Sequence, residues 1–329
     1  MAGTDHIAVI GAGVVGLTTA LTLLEHGHRV RVIAESIERP PASWAAPAMF
    51  TPYPGPEEGC FRRWTEQAFE ALRRISVEHP ESGVAMGPLR ELFHTPRSIP
   101  EWSARLMDIR PVHPVPPLAQ AHDSTRPVID MVRYLPWLRD RVLRLGGQLE
   151  ERRVRDLQEV LAEGFRTVVL CAGTGSGRLA TDARVRPMHG QVAHVPNDIG
   201  LAYSLHDDGP GGRTTYVFRF RDRLVVGGTF EAGRPDMGTD PATIEAILER
   251  GRAMLRLDGH ARWSDLGSVV LEARGASRPT RGQTGVFEDV RVEADPHHGT
   301  RLMHHYGHGR QGVTLSWATA AEVADRLAE

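Results

Sequence analysis

Gly11, Gly13 and Gly16 stand in a G-x-G-x-x-G pattern, directly after the apolar run 6–10 and before a helical stretch. In that context each glycine has a reason. The first allows a tight turn, the second lets backbone approach a pyrophosphate, and the third lets helix pack on strand. The helix that follows points free N–H groups at the anion. Glu35 follows a second apolar run, 29–34, where a carboxylate can accept hydrogen bonds from ribose hydroxyls. With Glu35, the turn residues Ala12, Val14 and Val15 and the neighbouring Ser36 complete the expected dinucleotide cradle. The pattern alone does not separate FAD from NAD. A second strand-plus-glycine turn at 168–177, carrying Ala172 and Gly173, favours FAD. The histidines 297, 298, 304, 305 and 308 could supply imidazoles to a metal, but no carboxylate or cysteine completes a site at short spacing, so no metal is expected.

The elements that must position these groups read from periodicity. Residues 17–26 and 130–145 read as helices, each stopped by glycine. Residues 57–78 form a third, with Phe61, Trp64, Ala68, Leu72 and Ile75 on one face. The proline-rich stretch 40–56 reads as a loop. Strand-like runs at 191–195, 215–220 and 224–226 look antiparallel, with polar turns between them; 240–255 and 313–327 read as helices. Nucleotide-type elements thus occur early, in the middle and at the C-terminus. The expected fold class is α/β: a discontinuous Rossmann-type FAD-binding domain over 1–56, 126–190 and 265–329, and a substrate domain with a mainly antiparallel sheet over 57–125 and 191–264.

Composition narrows the chemistry further. The chain of 329 residues is 41% hydrophobic and 24% charged, with a formal net charge of -2, so nucleic acid is not an expected partner. No apolar run reaches the roughly 20 residues that cross a bilayer, so no membrane partner is expected. Cys60 and Cys171 are too far apart to suggest a disulfide framework, and Cys171 reads as a buried free thiol; a reducing cytoplasm is the expected compartment. The basic residues are all arginine. Without lysine there is no Schiff base to pyridoxal phosphate, no Walker lysine and no lysine general base.

Five segments resemble the D-amino-acid oxidase and D-aspartate oxidase family: 9–16 with Glu35, the loop 43–53, the run 134–138 followed by Gly146, Gly147, Arg153 and Val154, the strand 168–173 with 187–191, and the C-terminal string 304–317. Tyr216 ahead of the Gly227-Gly228-Thr229-Phe230 run, and Arg278-Pro279-Thr280-Arg281, extend the likeness. The resemblance implies FAD as cofactor, held in part by Ser43, Ala46, Pro47, Ala48, Met49 and Val154. It also implies that Gly309, Arg310, Gln311, Gly312, Val313 and Thr314 face the pyrimidine end of the ring. It implies that Tyr216 and Arg281 hold the substrate carboxylate, with Arg278 as the rival for the arginine's place, and that Tyr53 lies at the pocket edge. Several positions depart from the family pattern, Pro41 and Ala42 in place of threonines among them. Pro47 replaces a glycine, Arg310 replaces a small residue beside the pocket, and Gly212 stands where the lid tyrosine would be.

The implied activity is oxidation of a D-amino acid or related amine acid by hydride transfer from Cα to flavin N5. The products are an imine, then a keto acid, ammonia and, from molecular oxygen, peroxide. Orientation rather than a side-chain acid or base would carry the rate. Three alternatives stay open: a specialised biosynthetic amine oxidase or dehydrogenase of glycine-oxidase type, a flavin-binding protein without amino-acid turnover, and an NAD-dependent dehydrogenase. A homodimer is likewise open.

Overall fold

The computed structural model describes residues 6–52, 60–209, 214–234, 236–282 and 289–329. Two sheets organise them. In the first, the parallel strands Gly299–Tyr306, Thr167–Leu170, His6–Ile10, Arg29–Ala34 and Gln148–Glu151 lie side by side in that order, and Arg291–Asp295 pairs antiparallel at one edge. Its central strands, His6–Ile10 and Thr167–Leu170, are apolar on both faces because both are covered. Ile7, Val9, Val30 and Val32 point to one core; Ala8, Ile10 and Ile33 point to another. The helices Val14–Glu25, Met131–Arg144 and Gly312–Ala328 fill the first core, and Leu157–Ala162 fills the second. Cys60–Glu78 joins the first core through Phe61, Trp64, Ala68, Phe69 and Leu72, and Arg63 ties it to Glu322 of the C-terminal helix at 2.6 Å.

The second sheet has nine strands among the described residues. Antiparallel pairing dominates, except where Val84–Phe93 runs parallel to Ser204–Asp208. One face packs on the helix Pro241–Leu257: Ala193, Leu205, Val217 and Val226 meet Ile244, Ile247 and Leu248. The alternate residues Val192, Tyr216, Phe218 and Val225 form the opposite face with Met49, Leu89 and Val128. Strand alternation therefore decides that Tyr216 and Val217 look in opposite directions.

The expected elements at 17–26, 29–34, 130–145 and 240–255 form within three residues of those bounds. Others differ. The proline-rich stretch contains a short helix, Pro41–Ala45, with Pro41 in its first turn, where a missing N–H costs nothing. The long strands Val84–Phe93, Gln120–Ile129 and Glu272–Arg281, left unread in the sequence, carry Pro88, Pro127 and Pro279, which interrupt a strand pattern. No helix among the described residues is long and apolar enough to cross a membrane.

Candidate active site

A cavity of about 600 Å³ is lined by residues of both sheets. At one end lies the glycine turn. Gly11 has φ +115°, and a Cβ there would sit 2.3 Å from the Cys171 carbonyl oxygen. A Cβ on Gly16 would lie 1.9 Å from the Gly11 oxygen, so Gly16 lets the turn close while itself standing outside the cavity lining. Ala12, Gly13, Val14 and Val15 line the cavity. The helix starting at Val14 has no side-chain cap from Gly13; instead Ser43 Oγ accepts from the Val14 N–H at 3.0 Å. Glu35 and Ser36 follow along the wall, with Val154, Ala172 and Gly173 nearby. Glu35 is well exposed and lies 3.7 Å from Arg153.

The opposite wall is built by Ala46, Pro47, Ala48 and Met49 and by the turn Gly309–Gln311 that starts the C-terminal helix. Gly312, Val313 and Thr314 also line the cavity. No side chain caps this helix, so its positive end is left to face the cavity. Gln311 donates to the Thr51 carbonyl at 3.2 Å, while its Oε1 is buried without a partner. Cradling glycines, open helix ends and an orphaned buried amide oxygen fit a dinucleotide with a polar ring, as FAD has.

Tyr216 and Arg278 meet at the substrate end. The Tyr216 hydroxyl is buried without a hydrogen-bond partner. Burial raises its pKa to about 12, against the pull of the Arg278 charge beside it. Gly227 and Gly228 make room for the phenol: a Cβ on either would come within 2.7 Å of its oxygen. Gly190 does the same for Arg278, whose Nη1 a Cβ would meet at 2.2 Å. Arg278 donates to the Thr229 carbonyl at 3.2 Å and stacks on Phe230, 4.7 Å from the ring centre. Arg310 stacks on the same ring at 4.9 Å; burial lowers its pKa to about 10, which leaves it cationic at neutral pH.

Arg281 is not in this group, which corrects the expected pairing with Tyr216. It stands three positions from Arg278 on one strand, an odd spacing that turns it to the other face. There it bonds Asp182 at 2.7 Å and Asp289 at 2.8 Å. Tyr53, and positions 210–212 of the expected lid, lie outside the described residues. Sequence reasoning missed Glu91, Arg126 and His206, which also line the cavity and come from strands left unread. The histidines of the C-terminal string go to separate partners: His304 to Asp295, His305 to Thr19 and His308 to Thr319. Cys171 is a buried free thiol, as expected, with its pKa pushed up to about 12 by burial.

A parallel βαβ sheet with an open glycine turn, and a second sheet that closes a cavity over it, define a dinucleotide-dependent oxidoreductase. The family model described as DAO, FAD dependent oxidoreductase, matches residues 6–326. The chain belongs to this family, so it is an FAD-dependent oxidoreductase with FAD as its cofactor. It is 38% identical to a D-amino-acid oxidase of Rubrobacter xylanophilus, over 96% of this chain and 94% of that protein. It is 30% identical to a D-aspartate oxidase of Homo sapiens, over 99% and 95%. Among solved structures, a glycine oxidase from Geobacillus kaustophilus shares the fold with TM-score 0.80 at 18% identity, covering 99% of this chain and 95% of that one.

Proposed function

We propose that the enzyme oxidises D-amino acids, and that Arg278 with Tyr216 holds the substrate α-carboxylate. The observation that carries this is the Tyr216 hydroxyl, buried and without a partner beside a guanidinium in the cofactor cavity. A carboxylate entering there gains a planar fork and a phenol donor, which offset its loss of water. The relatives named D-amino-acid oxidase and D-aspartate oxidase support the D configuration and the amino-acid class.

FAD, when bound, would supply the two-electron acceptor for the Cα hydride, with molecular oxygen as the final oxidant and peroxide as its product. The substrate, having lost a hydride and an amine proton, becomes an imino acid, which water splits into a keto acid and ammonia. In this division of labour the six-stranded sheet and its helices hold the cofactor, and the nine-stranded sheet presents the substrate. The open end of the C-terminal helix favours negative charge on the electron-accepting side. Arg278 and Tyr216 fix the substrate so that its reacting carbon can come within about 3–3.5 Å of its acceptor. FAD is held without a covalent link: Cys171 is buried with a raised pKa, and His308 has its Nε2 at 3.1 Å from Thr319 Oγ1.

Anaerobic mixing with a panel of D- and L-amino acids tests the reading. Bleaching of the flavin absorbance is expected with D-isomers and not with their L-isomers. Bleaching by L-isomers alone, or by none, overturns it.

A further inference from the structure

The sheet register aligns a polar row across the cavity wall. Tyr216 pairs opposite His206, and His206 opposite Glu91. Adjacent strands lie about 4.8 Å apart, so this row leads away from Tyr216 in steps of that size. On the next strand His122 stands opposite Glu91, while Arg126, paired with Gly87 further along that strand and itself 3% exposed, donates through Nη2 to Glu91 and through Nε to Ser124 at 3.0 Å. Among the described residues its Nη1 has no hydrogen-bond partner. Glu91 Oε1 has His206 Nδ1 at 3.9 Å, too long for a hydrogen bond, and that Nδ1 is buried without a partner. Glu91, Arg126 and His206 all line the cavity.

We propose that the Glu91–Arg126 pair, with His206, is the subsite that reads the substrate side chain, and that it selects an uncharged side chain ending in a carboxamide. This rests on the amino-acid oxidase reading of the cavity. The pair is neutral as a unit and offers one N–H edge beside one carboxylate oxygen. A carboxamide answers both, its oxygen accepting from Arg126 and its NH2 donating to Glu91. A second carboxylate would bring like charge beside Glu91, and an ammonium would do so beside Arg126. An apolar side chain would displace water and leave the edge of a buried ion pair unanswered.

The test measures kcat/KM of the holoenzyme for D-glutamine, D-glutamate, D-norleucine and D-alanine. D-Glutamine is expected to exceed D-glutamate and D-norleucine by at least about tenfold. Equal or better turnover of either overturns the subsite. Failure with every substrate, D-alanine included, instead overturns the reaction it rests on. In Glu91→Leu/Arg126→Met, which replaces the pair with apolar groups, the D-glutamine to D-norleucine ratio is expected to fall at least about tenfold. An unchanged ratio overturns the assignment to this pair. The flavin spectrum reports whether that variant folds. Should it not, His206→Phe is expected to lower the same ratio at least about threefold, and an unchanged ratio there also counts against the proposal.

Discussion

Arg278 and Arg281 share a strand, yet one faces the cofactor cavity and the other a buried carboxylate. Their substitutions are expected to fail in different ways. Arg278→Met removes the charge that answers the substrate carboxylate, a loss of about 2–5 kcal/mol. In steady-state assays kcat/KM is expected to fall roughly 30-fold to several thousand-fold, with FAD content retained. Arg278→Lys is expected to recover only part of this, because an ammonium lacks the planar fork. Tyr216→Phe keeps the ring and loses one donor, which is expected to cost about 0.5–1.5 kcal/mol in the same assay. Arg281→Met takes from Asp182 its nearest guanidinium and leaves it Arg291 at 3.6 Å and the Tyr306 hydroxyl at 3.0 Å. Urea unfolding is expected to show a loss of about 1–3 kcal/mol in stability, with kcat/KM per folded enzyme little changed. A catalytic collapse with Arg281→Met alone would return the clamp to that residue.

The two helices that open into the cavity work only if backbone can come close to the cofactor. Gly13 carries this requirement, because it heads the helix Val14–Glu25 and lines the cavity. Its added Cβ would meet the Ser43 hydroxyl at 3.1 Å, a contact that a small shift relieves, so the fold tolerates alanine. The cofactor does not, since the methyl group occupies the approach to the pyrophosphate. Gly13→Ala is expected to purify folded by circular dichroism but with FAD affinity lowered by at least about tenfold in a titration. Gly11→Ala is expected to disturb the fold itself. Its φ of +115° is strained for any side chain, and the new methyl would strike the Cys171 carbonyl.

Across the whole molecule, buried histidines contribute to the loss of stability in acid, alongside carboxylates such as Asp182 and Asp295 whose partners hold their pKa values down. Burial lowers the pKa of His308 to about 3 and that of His305 well below its ordinary value. It lowers His194 to about 4, with the Arg274 and Arg223 charges adding to the effect. The fold holds all three neutral, whereas the unfolded chain takes up protons below about 6.5. Their contribution is therefore complete above 6.5 and is lost as pH falls from 6.5 toward 4 for His194 and toward 3 for His308. His194 accepts from Arg223 Nε through Nδ1 at 3.2 Å, and an amide oxygen can take that role. In urea unfolding between pH 6 and pH 4.5, wild type is expected to lose stability more steeply than His194→Gln. The difference should approach about 1.4 kcal/mol per pH unit, the worth of one proton. Parallel slopes would mean that His194 is charged in the fold.

What the sequence determined alone is what local patterns encode. The glycine turn, its flanking strands and helices and Glu35 could be read because their spacing is set by backbone geometry within some thirty residues. Likewise the turn at 307–312 and the helix after it are contiguous. The tertiary structure decided which groups share the cavity. The stretch Glu272–Arg281, interrupted by Pro279, carries no strand assignment from sequence, so the alternation that turns Arg278 inward and Arg281 away stayed hidden until the strand was seen paired along Val185–Val195. Glu91, Arg126 and His206 come from three strands far apart in the chain. Only the pairing register brings them into one wall, because a side chain's neighbours across a sheet depend on which strands meet and in what alignment, and no local spacing records that.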